Sequence, residues 1–150
     1  MESMAKKIPS GPPEHSVKPR ARGLKRVFNA VYFSLEGIGS TLKHEEAFRQ
    51  EVFLSCFLIP LALILPFPLW AKLLLVCSVF LVFIVELLNT AIEVAIGYIS
   101  EYDHHFLAKR AKDMASGAVF FSLLNAGAIW ISLFAAYWPT LSTWVTKHFS

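Results

Sequence analysis

Charge is missing from three long stretches of this 150-residue chain: no Asp, Glu, Lys or Arg occurs in 52–71, in 73–85 or in 114–146. Only 17% of all residues are charged and 55% are hydrophobic, which excludes an ordinary soluble domain and places the chain among integral membrane proteins. Cysteine is scarce as well. Cys56 and Cys77 both sit inside apolar runs, which argues against a disulfide framework or a cysteine metal site and leaves them as packing residues. The first 26 residues hold no apolar core, so no secretory signal is expected and insertion rests on internal segments. There is no G-x-x-x-x-G-K-[ST] loop and no glycine fingerprint, so no familiar nucleotide fold supplies a phosphate cradle.

A bilayer core of about 30 Å takes about 20 apolar residues in a helix. The three runs therefore predict an all-α integral membrane protein with spans at about 51–65, 70–96 and 114–138. Pro60, Pro66 and Pro68 interrupt the first run, which ends in a tight "PFPLW" turn with Trp70 at an interface. Trp130, Tyr137 and Trp138 lie along the third span, and Pro139 should end its helix at the far interface. Lys6, Lys7, Lys18, Arg20, Arg22, Lys25 and Arg26 precede the first span, and Lys109, Arg110 and Lys112 lie between the second and third. The first turn offers only Lys72. This asymmetry predicts a cytoplasmic N-terminus and an outer C-terminus.

Residues 1–21, rich in Pro, Gly, Ser and Lys, read as a disordered basic tail ahead of a membrane domain at 22–150. The tail sets topology or touches anionic lipid, and no nucleic-acid partner is expected. Over about 24–44, Leu24, Val27, Phe28, Val31, Leu35, Ile38 and Leu42 recur at threes and fours. That stripe predicts an amphipathic helix along the inner membrane surface, with a break or close contact at Gly37 and Gly39.

The second span carries a contradiction, because Glu86, Asn89 and Glu93 interrupt "VFLVFIVELLNTAIEVAIGYI". Their spacing puts them on one helix face, with the two carboxylates about 10 Å apart along the axis. An acid at the bilayer centre costs roughly 2.5–3.5 kcal/mol on insertion scales, so an aligned set asks for a functional reason; the plain alternative is a Glu that hydrogen-bonds a neighbouring helix. Polar groups gather at the same level on the other spans: Glu45, Arg49 and Glu51 in "HEEAFRQE", and Lys109, Arg110, Lys112, Asp113 and Ser116 in "KRAKDMAS". Carboxylates suit Mg²⁺, a lysine can hold a phosphate, and a further carboxylate can take a hydroxyl proton, which together fit phosphoryl transfer.

The segments "EEAFRQE", "VELLNTAIE" and "AKDMAS", in this order at the cytoplasmic ends of three spans, resemble the bacterial integral-membrane diacylglycerol kinases, a family that includes undecaprenol kinases. The resemblance implies a homotrimer in the bacterial inner membrane, with sites shared between subunits, that moves the ATP γ-phosphate to a lipid alcohol. It implies Glu86 as the general base, Glu45 and Glu93 as holders of Mg²⁺ with the nucleotide phosphates, and Asn89, Lys112 and Asp113 at the nucleotide. Arg26, Glu51 and Ser116 are implied on the lipid side. "EEAFRQE" and "KDMAS" look more like the diacylglycerol enzymes than the undecaprenol ones, so the expected product is phosphatidic acid.

The chain also departs from the family pattern. Many relatives carry an Asp-Arg pair shortly after the second ladder glutamate, where "AIGYIS" stands here, and the following "EYDHHFLAKR" is long and holds His104 and His105. Two adjacent loop histidines without a third ligand read as solvated. A rival of another class is a membrane proton or ion conduit with the glutamates as a relay, which should carry polar groups across the whole bilayer depth.

Overall fold

The computed structural model describes residues 23–100 and 106–149, and the elements among them are α-helices: α1 Leu24–His44, α2 Glu46–Ile64, α3 Leu69–Ser100, α4 Phe106–Ala136 and α5 Trp138–Phe149. The basic tail and the histidines at 104 and 105 lie outside the described residues. α2, α3 as far as Tyr98, and α4 are each long and apolar enough to cross a membrane.

Contacts divide the chain between Ser34 and Leu35, within α1. In the first unit Leu24, Val27, Phe28 and Val31 are exposed, and Tyr32 meets Phe33 edge-on at 5.8 Å. α1 runs unbroken through Gly37 and Gly39, and a Cβ at either would meet nothing within 4 Å. The expected break or close contact is therefore not there: glycine weakens a helix by about 1 kcal/mol, too little to end one.

In the second unit α3 packs against both α2 and α4. Its buried face reads Ala71, Leu75, Ser78, Val79, Val82, Glu86 and Thr90, a stripe at threes and fours that begins apolar and turns polar. The apolar end holds the core. Ala62, Leu65 and Phe67 from the end of α2 and its turn meet Ala71 and Leu75 of α3 and Leu133 of α4, and Leu75 is wholly buried. Aromatic rings surround this cluster: Phe67 lies 5.0 Å from Tyr137 and 5.8 Å from Phe134, and Trp130 stacks on Phe134 at 6.1 Å. Lys72 at the start of α3 donates through Nζ to the Leu63 carbonyl at 2.7 Å, satisfying one of the acceptors left open where α2 ends.

Proline and charge act differently from a simple reading of the runs. α2 passes through Pro60 and ends at Ile64, as membrane helices can when neighbours re-satisfy the freed backbone. α4 begins at Phe106, so Lys109, Arg110, Lys112 and Asp113 stand on its first turns and not in a loop. Pro139 does not end the helical path. α4 stops at Ala136, Tyr137 forms a turn, and Pro139 sits in the first turn of α5, where a missing N–H leaves no helical bond unmade.

Candidate active site

The polar end of the α3 stripe builds the site. Glu86 is only 4% exposed although it is acidic, Thr90 one turn on is buried, and Asn89 and Glu93 are half-buried beside them. The charges acting on Glu86 are those of Glu45 and Glu93, and Glu86 in turn acts on Glu51. Three further carboxylates, from α2, α3 and the α1–α2 junction, thus lie within electrostatic reach of Glu86, and such like charges are relieved by a proton or by a cation.

Local structure explains how Glu45 reaches this group. It is the extended residue between α1 and α2, with φ −103° and ψ 119°, and its side chain does not cap α2. Its carboxylate is left free for the site. Arg49, which shares its segment, goes elsewhere: Nη1 donates to the carbonyls of Lys43 at 3.1 Å and Leu42 at 3.4 Å, closing the C-terminus of α1. Arg49 is therefore spent on the helix junction and not on an ion pair with the ladder. Phe48 is buried and meets Phe83 edge-on at 5.7 Å, which fixes α2 against α3 at this level.

Among the described residues, three buried side-chain polar atoms lack a partner: Oε2 of Glu51, Oδ1 of Asn89 and Oγ1 of Thr90. Buried polar atoms are normally paired, so each of these is open to a partner from outside the chain. Thr90 was not singled out by the sequence reading, although its position four residues after Glu86 already put it on the ladder face. Glu51 also borders an apolar cavity of about 320 Å³ that runs between α2, α3 and α4. Leu54, Leu58, Val82, Phe83, Leu123 and Trp130 are among its walls, and Glu51 is its one charged wall.

Lys112, Asp113 and Ser116 do not join the cluster within the chain. The buried or half-buried positions of α4 at this end are Ala108, Ala111, Ala115, Gly117 and Val119, whereas Lys112, Asp113 and Ser116 are exposed. Arg26 is exposed in the first unit, where its backbone N–H donates to the Gly23 carbonyl at 3.0 Å.

No group of three or more His, Cys, Asp and Glu among the described residues is arranged to hold a metal by itself. Mg²⁺ commonly takes one or two carboxylates and completes its shell with phosphate and water, and the half-buried Glu45 and Glu93, whose charges both act on Glu86, are hard oxygen donors of that kind.

The family model for prokaryotic diacylglycerol kinase matches residues 32–134. The chain belongs to the prokaryotic diacylglycerol kinase family. Among curated relatives, the diacylglycerol kinase of Haemophilus influenzae is 40% identical over 111 residues, covering 74% of this chain and 93% of that protein. That of Helicobacter pylori strain 26695 is 42% identical over 119 residues, covering 78% and 91%, and that of Escherichia coli K12 is 37% identical over 111 residues, covering 74% and 90%. As a prokaryotic diacylglycerol kinase family member, the chain is a membrane protein of a kinase family, and the matched segment contains the four carboxylates, Asn89, Lys112, Asp113 and Ser116. Arg26 and the whole of α5 lie outside it.

Proposed function

We propose that the chain is an ATP-dependent lipid kinase that phosphorylates diacylglycerol to phosphatidic acid at the cytoplasmic face of the bacterial inner membrane. The observation that carries this reading is the buried Glu86, which feels the charges of Glu45 and Glu93 and acts on Glu51, the charged wall of an apolar cavity. A lipid alcohol is amphipathic, and so is this arrangement: acyl chain in the cavity, hydroxyl at its acidic end. The relatives' name, diacylglycerol kinase, supports the same substrate.

In the reaction the lipid hydroxyl oxygen forms a bond to the γ-phosphorus of ATP as the bond to the bridging oxygen of ADP breaks, and the hydroxyl proton passes to the Glu86 carboxylate. Burial excludes water from that carboxylate, which protects ATP from hydrolysis when no lipid is seated. Glu45 and Glu93, nearer the water than Glu86, would hold Mg²⁺ with the nucleotide, where the ion neutralises phosphate charge. Asn89 offers an amide to the nucleotide, and Lys112 and Asp113 complete its seat. Glu51, Ser116 and Arg26 are assigned to the lipid headgroup.

Because Lys112, Asp113 and Ser116 face away from Glu86 in their own subunit, the proposal includes a homotrimer in which α4 of one subunit faces α3 of the next. Against the conduit reading stands the other end of the bundle, where Ala62, Leu65, Phe67, Ala71, Leu75 and Leu133 pack into an apolar cluster. The deciding experiment offers purified protein Mg-ATP with diacylglycerol or undecaprenol in detergent. Labelled phosphatidic acid is expected; phosphate transfer to undecaprenol alone would reassign the substrate, and transfer to neither would remove the kinase reading.

A further inference from the structure

α5 stands outside the family match, and the core that explains the other helices accounts for only its first turn. Leu141 packs on the cluster around Phe67 and Leu133, and Tyr137 just before α5 lies 5.0 Å from Phe67 and 6.2 Å from Trp70. α5 is therefore anchored at the end of the bundle opposite Glu86, since Trp70 and Glu86 are separated along α3 by about 24 Å at 1.5 Å per residue.

Beyond that anchor the helix is two-faced. At 100° per residue, Trp138, Leu141, Trp144 and Val145 fall within one arc, with His148 among them, while Ser142, Thr143, Thr146 and Lys147 fill the opposite arc. Trp138 is 64% exposed and Val145 42% exposed, so this apolar arc extends past the protein that could cover it. The polar arc is unusually undemanding. Ser142 and Thr143 donate to the Pro139 carbonyl at 2.9 and 2.8 Å, and Thr146 donates to Ser142 at 3.1 Å, so these hydroxyls are already satisfied by the helix itself.

We propose that α5 is an interfacial helix, lying in the headgroup layer of the membrane face opposite the active site, with its apolar arc turned into the lipid. Continuity decides the occupant. The lipid-facing surface of the spans reaches the same level through exposed Ile64, Leu69, Trp70 and Leu73, and the Trp138 arc prolongs that surface beyond the end of α4. Tryptophans at 70 and 138 suit the boundary between chain and headgroup, and Lys147 on the polar arc meets phosphate. Helices of this kind sink their apolar face about 5–10 Å into the interface.

The test places single cysteines at Val145 and Thr146 in the full chain carrying Cys56→Ala and Cys77→Ala, reconstituted in phosphatidylcholine–phosphatidylglycerol vesicles and spin-labelled. A label at Leu73, exposed on α3, calibrates the inserted protein. Oxygen should collide with the Val145 label several-fold more often, relative to a water-soluble nickel chelate, than with the Thr146 label, with Val145 approaching the Leu73 value. Equal, high chelate access at both sites would put α5 in water and overturn the proposal. Shielding of Val145 from both reagents would show a protein neighbour, such as a second copy, on the apolar arc, and would overturn it equally.

Discussion

The indole Nε1 of Trp130 donates to the hydroxyl of Ser78 at 3.2 Å, joining α4 to α3 beside the cavity, while the same hydroxyl donates to the Leu75 carbonyl at 2.7 Å. Ser78 thus links two helices and one backbone turn from a position only 3% exposed. Removing the hydroxyl by Ser78→Ala leaves the indole without an acceptor. Interhelical hydrogen bonds in membrane proteins are worth about 0.6 kcal/mol on average and up to about 1.7. Thermal unfolding in detergent should show a loss in that range together with a shift in Trp130 emission, and wild-type stability would mean that the bond carries no weight.

Replacing Glu86 by Gln preserves size but removes the base. Turnover should fall by about 10²–10⁴-fold, the scale of general-base loss, with nucleotide affinity little changed. Near-normal turnover would move Glu86 out of the catalytic role.

Glu45→Gln and Glu93→Gln each remove a hard anionic donor from the proposed ion seat. Both variants should need more Mg²⁺ for half-maximal activity at saturating lipid, with lipid affinity less affected. Titrations that superimpose on the wild type would assign the two acids to structure.

The cavity can be filled from α4 without disturbing the core, because a Cβ at Gly127 would meet nothing within 4 Å and Gly127 lines the space. Gly127→Leu should depress the phosphorylation of long-chain diacylglycerol more than that of a short-chain analogue, at constant KM for ATP. Equal loss with both chain lengths would separate the cavity from substrate binding.

Sharing of the site between subunits is open to complementation. Inactive Glu86→Gln and inactive Lys112→Ala chains, co-refolded, should recover part of the activity, since some mixed oligomers then pair an intact α3 with an intact neighbouring α4. Measured phosphatidic acid no higher than either variant alone would confine the two residues to one chain.

Much of this site was legible because charge in an apolar run is costly. Glu86 and Glu93 could be singled out from spacing alone, and the face they share is the one α3 turns inward. Thr90 escaped notice since a hydroxyl in a membrane helix usually satisfies itself on its own backbone, as Ser78 and Ser122 partly do here. The orientation of Lys112 and Asp113 could not be read from the run, because their facing depends on α4 starting at Phe106, and a basic run gives little sign of where a helix begins. α5 was missed for the same kind of reason: Pro139 signals an end in sequence, and only the turn at Tyr137 shows that it opens a new helix.

Packing in the bundle is lopsided, and that gives it the mechanics of a pair of tongs. The cluster at Ala62, Phe67, Leu75 and Leu133 is a packed pivot, whereas towards the acidic end α2 meets α3 at the edge-on contact of Phe48 with Phe83 beside the cavity. Under the proposed lipid-kinase function, a tail arriving sideways from the bilayer would part the helices at the acidic end while the pivot stays packed, so substrate would enter without loss of the fold.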